Sequence, residues 1–291
     1  MARILVTGAT GLLGATLVPW LSRCGHTVLR HGFHADADYR ADLREYAPTA
    51  GMLDRSGPDC IVNLTALTDV DACERRPHEA FMLNVASVEH LCRWIRNNAA
   101  HCHLVQISTD QLYDGGGPHR ESAVTIGNTY AFSKIAGELL AAGVSSTVLR
   151  TNFFGRSRCP TRSSFSDWIH DSIRLHRDLS LFDDVRFSPL SLATISDMIE
   201  RVVRQQPRGV FNVGAAKGLS KADFAYAFAE ALDLPIAQMR RVHSDSATQL
   251  LAYRPKDMRM DSSLFEQTMG LRLPAVADEI ISVRSDYLDT P

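Results

Sequence analysis

No run of apolar residues in this chain is long enough to cross a bilayer, so a membrane-spanning helix is not expected. The opening stretch MARILVTGATG lacks the basic, apolar and small-residue layout of a secretory signal, because its apolar run breaks at Gly8. The expectation is a cytoplasmic protein without a membrane partner. An excess of one charge is missing too. Against 33 Asp and Glu stand 31 Lys and Arg, for a formal charge of −2, so no nucleic-acid partner and no disordered charged tail are expected. Paired cysteines are absent: Cys24, Cys60, Cys73, Cys92, Cys102 and Cys159 are scattered with no C-x-x-C spacing. They read as reduced thiols packed inside. His101, Cys102 and His103 are adjacent, but on a strand the two imidazoles face one way and the thiol the other, so no metal site is expected. Low-complexity linkers and internal repeats are lacking as well. A chain of 291 residues has ample material for one large domain or two modest ones.

What is there alternates. RILVTG is a short β-branched run ending in glycine, and LLGATLVPWLSRCG follows at helical spacing, with Pro19 set to bend it or remove one backbone bond. HTVLR, DCIVNLTAL, HLVQIS and STVLRTNFFG read as further strands. Phe81, Val85, Val88, Cys92 and Ile95 recur at helical steps and predict one long helix with a single buried stripe. YAFSKIAGELLAAG predicts another helix. Strands alternating with helices point to an α/β protein, a doubly wound parallel sheet of Rossmann type covered on both faces. Past Gly155 the texture changes to polar loop, mixed helix from Phe165 to His176, helix over ATISDMIERVVRQ, strand over GVFNVG and a Ser-capped helix over SKADFAYAFAEALDL. The expected division is a dinucleotide-binding domain over 1–153, its sheet completed by a strand near 209–214, and a smaller substrate-binding lobe mainly over 154–291.

TGATGLLG places Gly8, Gly11 and Gly14 at the junction of the first strand and first helix. In that setting Gly8 serves the tight turn, Gly11 the approach of a pyrophosphate and Gly14 the packing of helix on strand. The helix end then offers free N–H groups to phosphate. Where the second strand ends, an acidic residue would grip the ribose of NAD; Arg30 stands there instead, with His31 and His34 nearby. A cation suits a 2′-phosphate, which favours NADP, with NAD as the alternative. Asp42 either caps the adenine edge or starts a helix.

TYAFSK sets Tyr130 and Lys134 one helical turn apart. A phenol with a reference pKa near ~10 is a poor proton donor-acceptor at neutral pH without help. An ammonium one turn away favours the phenolate. Thr109, in the STD that ends the fourth strand, supplies a hydroxyl to hold a carbonyl oxygen between itself and the phenol. A nucleotide diphosphate needs cations from the later half. Arg186 and Arg254, each near a proline, are the candidates, as phosphate ligands or as solvated or salt-bridged side chains. Asn84, inside the apolar stripe, either orients a loop or satisfies buried backbone.

TGATGLLG, ISTDQLYDG, YAFSK and LRTNFFG together resemble the extended short-chain dehydrogenase/reductases, and within them the dTDP-4-dehydrorhamnose reductase branch. NLTALTDVDACE and the C-terminal YRPKDMRMDSSLFEQTMGLRLPAVADEI extend the resemblance from residue 3 to about residue 280. It implies NADPH-dependent reduction of a 4-keto-6-deoxy sugar on a nucleoside diphosphate, in deoxysugar or surface-polysaccharide biosynthesis, by an enzyme that is a homodimer at base rate. Tyr130 would be the general acid, Lys134 its partner and a nicotinamide-ribose ligand, and Thr109 the carbonyl-binding hydroxyl. Gly8, Thr10, Gly11 and Leu12 would wrap the pyrophosphate, Asp42 and Leu43 flank the adenine, and Thr65 and Ala66 line the ribose side. Val70, Asp110, Tyr113 and Phe153 match positions around the sugar. Three departures fall on the substrate side: Gln111 and Phe153 replace an aromatic and a Trp of the branch, and FDDVRFSP lacks its Gly-x-Pro-Thr-like step. The rival readings are a non-catalytic NADP-binding regulatory subunit like that of methionine adenosyltransferase, and an epimerase or dehydratase of the same superfamily.

Overall fold

The computed structural model describes residues 1–33, 37–247 and 249–288; His34 lies outside them. Six strands carry the architecture: β1 (Arg3–Thr7), β2 (Thr27–Arg30), β3 (Cys60–Asn63), β4 (His103–Thr109), β5 (Ser146–Thr151) and β6 (Gly209–Val213). All pair in parallel, in the spatial order β6-β5-β4-β3-β1-β2. The chain runs outward from β1 to β2, then returns to the other side of β1 at β3. That reversal opens a crevice at the carboxyl ends of β1 and β3, where ligands bind in open α/β sheets.

Burial explains the strand sequences. β3, β4 and β5 are buried at every residue, so they read as near-continuous apolar runs. Alternate residues feed two cores. Ile4, Val6, Val62, Val105 and Leu149 join the large cluster on one face, whereas Leu5, Ile61, Leu104 and Val148 join the cluster on the other. The helices labelled in chain order are α1 (Gly14–Arg23), α2 (Tyr46–Ser56), α3 (Ser87–Asn98), α4 (Thr129–Ala141), α5 (Phe165–Arg174), α6 (Leu192–Gln205) and α7 (Lys221–Ala231). Leu17 and Leu21 of α1 pack with Ile195 and Ile199 of α6 in the first cluster; Met52 of α2 and Leu91 of α3 belong to the second. The first cluster continues through Phe154, Phe187, Phe224 and Tyr287, so one apolar core runs from the sheet into the later half of the chain.

One expectation needs correction. The single long helix with Phe81 in its buried stripe is broken. Pro77–Phe81 is one short helix, Met82–Ala86 a π turn, and α3 follows. Phe81 is 50 % exposed while Val85, Val88, Cys92 and Ile95 are buried. The wider π turn rotates the residues before it off the stripe that follows. Beyond β5, the chain forms small two-stranded pairings rather than a second large sheet: Phe153–Phe154 with Leu190–Ser191, Arg186–Phe187 with Leu219–Ser220, and Leu179–Phe182 with Met239–Val242. No described helix is long and apolar enough to cross a membrane.

Candidate active site

The site is built at the carboxyl ends of the strands. After β1, Gly8 takes φ +64°, a left-handed conformation that suits a residue without Cβ. A Cβ on Gly14 would lie 2.5 Å from the Ala9 carbonyl oxygen and 2.6 Å from that of Gly8, so α1 starts pressed against the turn. No side chain caps α1, which leaves its amino end available to an anion. Gly8 in turn faces the loop after β3, 3.3 Å from the Thr65 nitrogen to an added Cβ. The Thr65 hydroxyl is buried there without a partner, and so is Nδ1 of His31. A cradle open to phosphate and an orphaned hydroxyl facing it fit a dinucleotide. Thr10 is exposed beside the turn, and Gly11, Leu12 and Ala66 are half-buried around it.

The far end of this groove differs from the sequence expectation in one respect. An acidic residue does stand beside Arg30: Asp38 holds the guanidinium at 2.8 Å and accepts from the Arg30 backbone N–H at 2.9 Å. The hydrogen bonds from Arg30 hold the Asp38 carboxyl below its usual range. Asp42 is engaged by Arg44, whose Nε donates to it at 2.9 Å, and Leu43 is buried beside it. The Asp42 carboxylate is thus already engaged.

Tyr130 lies in the first turn of α4, which Asn128 caps by accepting from the Ala131 N–H at 2.8 Å. Glu74 clamps the same turn through the Thr129 N–H and hydroxyl, both at 2.7 Å. The Tyr130 ring packs with Cys73 and Ala80, half-buried Val70 joining them. The Thr109 side chain, at the end of β4, acts on its hydroxyl. Burial pushes the Tyr130 hydroxyl well above its ordinary value, the Thr109 side chain opposes this, and the Asp110 carboxylate adds to it. Lys134 donates to the Ile107 carbonyl at 2.7 Å. Burial pushes its ammonium down to about 8 against the pull of Glu138. In this structure the Lys134 ammonium rests on a strand carbonyl, and burial is the largest influence on the phenol. Asn84 turns out to do both jobs left open for it. It satisfies both backbone groups of Leu67, at 2.7 and 3.0 Å, and donates to Ser133 on α4 at 2.8 Å.

A cavity of about 230 Å³ is lined by Gln111, whose N–H donates to the Thr109 hydroxyl, by Asn152 from the end of β5, and by Phe165, Trp168, Lys221 and Arg254 from later in the chain; Thr109 and Tyr130 are not in its lining. Asp110, 1 % exposed, accepts from Asn152 Nδ2 at 2.7 Å and from the Thr109 hydroxyl at 3.4 Å. Burial raises its carboxyl to about 6, with the Lys221 charge opposing. Arg254 reaches the cavity but is held by Asp71 at 3.0 Å and by the Ala252 carbonyl at 2.9 Å. The other substrate-side candidates fall elsewhere. Arg186 is exposed and does not line the cavity. Phe153 is half-buried against the main core, and it is its neighbour Asn152 that faces the cavity. Tyr113 is fully buried, its hydroxyl donating to Asn212 at 2.6 Å and accepting from Arg150 at 2.8 Å. Sequence reasoning missed Asn152, Trp168 and Lys221. Their only signal was position, immediately after a strand end or within a helix start.

The family model for the RmlD substrate binding domain matches residues 2–287. The chain belongs to this family. Among curated relatives it is 25 % identical to the probable low-salt glycan biosynthesis reductase Agl14 of Haloferax volcanii, over 98 % of each chain. It is 27 % identical to a dTDP-4-dehydrorhamnose reductase of Sinorhizobium fredii, covering 80 % of this chain and 82 % of that one. Its fold matches the crystal structure of dTDP-4-dehydrorhamnose reductase from Bacillus anthracis in complex with NADP, with a TM-score of 0.89 at 20 % identity, over 98 % of this chain and 99 % of that one.

Proposed function

We propose that this member of the RmlD family is an NADPH-dependent reductase of a 4-keto-6-deoxy sugar carried on a nucleoside diphosphate. The observation that carries the reading is the convergence of three side chains at the sheet's carboxyl end: Thr109 ends β4, Tyr130 lies in the first turn of α4 with its hydroxyl under the influence of Thr109, and Lys134, one turn along, donates to the Ile107 carbonyl of β4. The naming of relatives as reductases supports it. Residues 1–153 together with β6 form the cofactor side, and residues 154–291 supply most of the substrate side. The protein acts in the cytoplasm, as a homodimer.

The groove fits the dinucleotide. Gly8, Thr10, Gly11, Leu12 and the open start of α1 would hold the pyrophosphate, Thr65 and Ala66 a ribose, Asp42 and Leu43 the adenine, and Arg30 the 2′-phosphate. When bound, NADPH supplies the hydride that reduces the carbonyl carbon. The chain's own residues manage the oxygen. Thr109 donates a hydrogen bond to it and stabilises its growing negative charge. Tyr130 is fully protonated near neutrality because burial holds its proton on. That suits a general acid whose acceptor, a nascent alkoxide, is far more basic than a phenolate. Lys134, titrating at about 8 beneath it, holds a proton close by.

The test is consumption of NADPH by the purified protein with dTDP-, UDP- and GDP-linked 4-keto-6-deoxy sugars, with products resolved by NMR. Oxidation with one of them is the expected result. A protein that binds NADPH yet oxidises it with none of these sugars would instead have the regulatory role. Release of NADP after each turnover is also expected; an epimerase would keep its dinucleotide. A cofactor prediction accompanies this. Arg30→Ala should raise the KM for NADPH by roughly 10-fold, the scale of one charge-assisted hydrogen bond, and leave that for NADH little changed. Steady-state kinetics with each cofactor decides it, and an equal effect on both would remove Arg30 from the 2′-phosphate site.

A further inference from the structure

Lys221 is placed where an ammonium has little reason to be. It is the first residue of α7, after the cap Ser220, whose hydroxyl accepts from the Asp223 N–H at 2.9 Å. The amino end of a helix repels a cation. Its Nζ sits 3.4 Å from the centre of the Phe187 ring and 4.5 Å from that of Phe165. Among the described residues no acceptor hydrogen-bonds this ammonium and no carboxylate lies within ion-pair distance. Asp223, two residues on, is taken by Arg241 at 2.7 Å. Burial pushes the Lys221 ammonium down to about 8, with the Asp110 charge opposing. Against that cost stands one feature: Lys221 lines the same cavity as Gln111, which is hydrogen-bonded to Thr109, and Asn152, which is hydrogen-bonded to Asp110. The other cation lining it, Arg254, is already held by Asp71. Phe165, under the ammonium, is stacked on Trp168 at 5.7 Å and 18°, and an apolar face such as that of Trp168 suits a base or sugar.

Resting on the reductase reading above, we propose that Lys221 is the ligand of the substrate's diphosphate, taking an oxygen of the phosphate that adjoins the sugar. The aromatic rings hold the ammonium in place without giving it a hydrogen-bond acceptor, so an arriving phosphate faces no internal competitor. Lys221 shares the cavity with Gln111 and Asn152, which hydrogen-bond Thr109 and Asp110 at the end of β4, so the phosphate it takes is the one next to the reacting sugar rather than the one at the nucleoside end. Arg186, exposed and away from the cavity, and Arg254, already paired, are then secondary.

The experiment is isothermal titration of the NADPH-loaded protein with dTDP, UDP and GDP, each against its own nucleoside, for wild type, Lys221→Met and Lys221→Arg. Methionine keeps the packing on both rings, and arginine keeps the charge. NADPH affinity and thermal unfolding, measured in parallel, check that each variant is folded. The expected result is a loss of about 10- to 100-fold in diphosphate affinity for Lys221→Met, the range of one charge-assisted contact, with nucleoside binding unchanged and most affinity kept by Lys221→Arg. Wild-type binding of a diphosphate that Lys221→Met matches overturns this assignment and leaves the reductase reading standing. So does an equal loss for nucleoside and diphosphate, which marks a packing role. Wild-type protein that binds none of the three diphosphates overturns both.

Discussion

Tyr130→Phe should lose turnover by roughly 10²- to 10⁴-fold, the usual worth of a positioned general acid, while NADPH still binds. The substitution removes one oxygen and little else. The ring is 7 % exposed in a small apolar cluster with Cys73 and Ala80, a setting that accepts phenylalanine without a cavity. The Thr109 hydroxyl keeps its contact with the Gln111 N–H at 3.2 Å, so the second donor to the substrate oxygen stays in place. Burial works in the same direction, because it keeps the phenol protonated and makes the hydroxyl a donor rather than a base. An acid that acts only as charge develops should show its loss in kcat and kcat/KM together, with little change in KM. Single-turnover NADPH oxidation under saturating sugar, with cofactor affinity measured by fluorescence, checks the split. Wild-type turnover in this variant with a proven substrate would sink the catalytic assignment.

The parts of the molecule that local chemistry determines were legible in the sequence. The strands that read as β-branched runs are those whose both faces are covered, and the glycines of TGATGLLG were readable because sterics alone demand them: Gly14 has backbone oxygens where a Cβ would go. Tyr130 and Lys134 were legible because four residues on a helix is a short-range relation. What stayed hidden depends on residues far apart in the chain. The π turn at Met82–Ala86 carries Asn84, whose partners Leu67 and Ser133 are 17 and 49 residues away. Tyr113 looked like a sugar contact until Asn212, 99 residues on, claimed its hydroxyl. Arg30 looked unopposed because Asp38 stands eight residues further on and only the folded chain brings it back. Lys221 had the least signal of all. A lysine after a serine cap reads as a solvated helix start, and only the folded chain sets it over two aromatic rings.

Arg150→Met is expected to cost about 3–5 kcal/mol of stability, the penalty for stripping the partner from a buried carboxylate. Arg150 and Glu138 have side chains 4 % and 2 % exposed, paired at 2.6 Å. The guanidinium also gives Nε to Glu138 at 3.0 Å and Nη1 to the Tyr113 hydroxyl and the Glu121 carbonyl at 2.8 and 2.7 Å. Glu138 accepts in addition from the Ser108 hydroxyl, so this pair ties α4 to the ends of β4 and β5, the strands that deliver Thr109 and Asn152. The same carboxylate lies one turn beyond Lys134 and raises that ammonium against burial. Removing Arg150 therefore loosens the support of the catalytic pair and leaves a charge in the core. Urea unfolding followed by circular dichroism measures the loss. The physical content of the claim is that the unpaired charge, more than the missing contacts, does the damage. A second substitution, Glu138→Gln, should then recover part of the stability when placed in the Arg150→Met background, although alone it destabilises. If the double variant is instead as unstable as the sum of the two single ones, the lost hydrogen bonds and packing dominate, and the buried charge is not what the fold guards against.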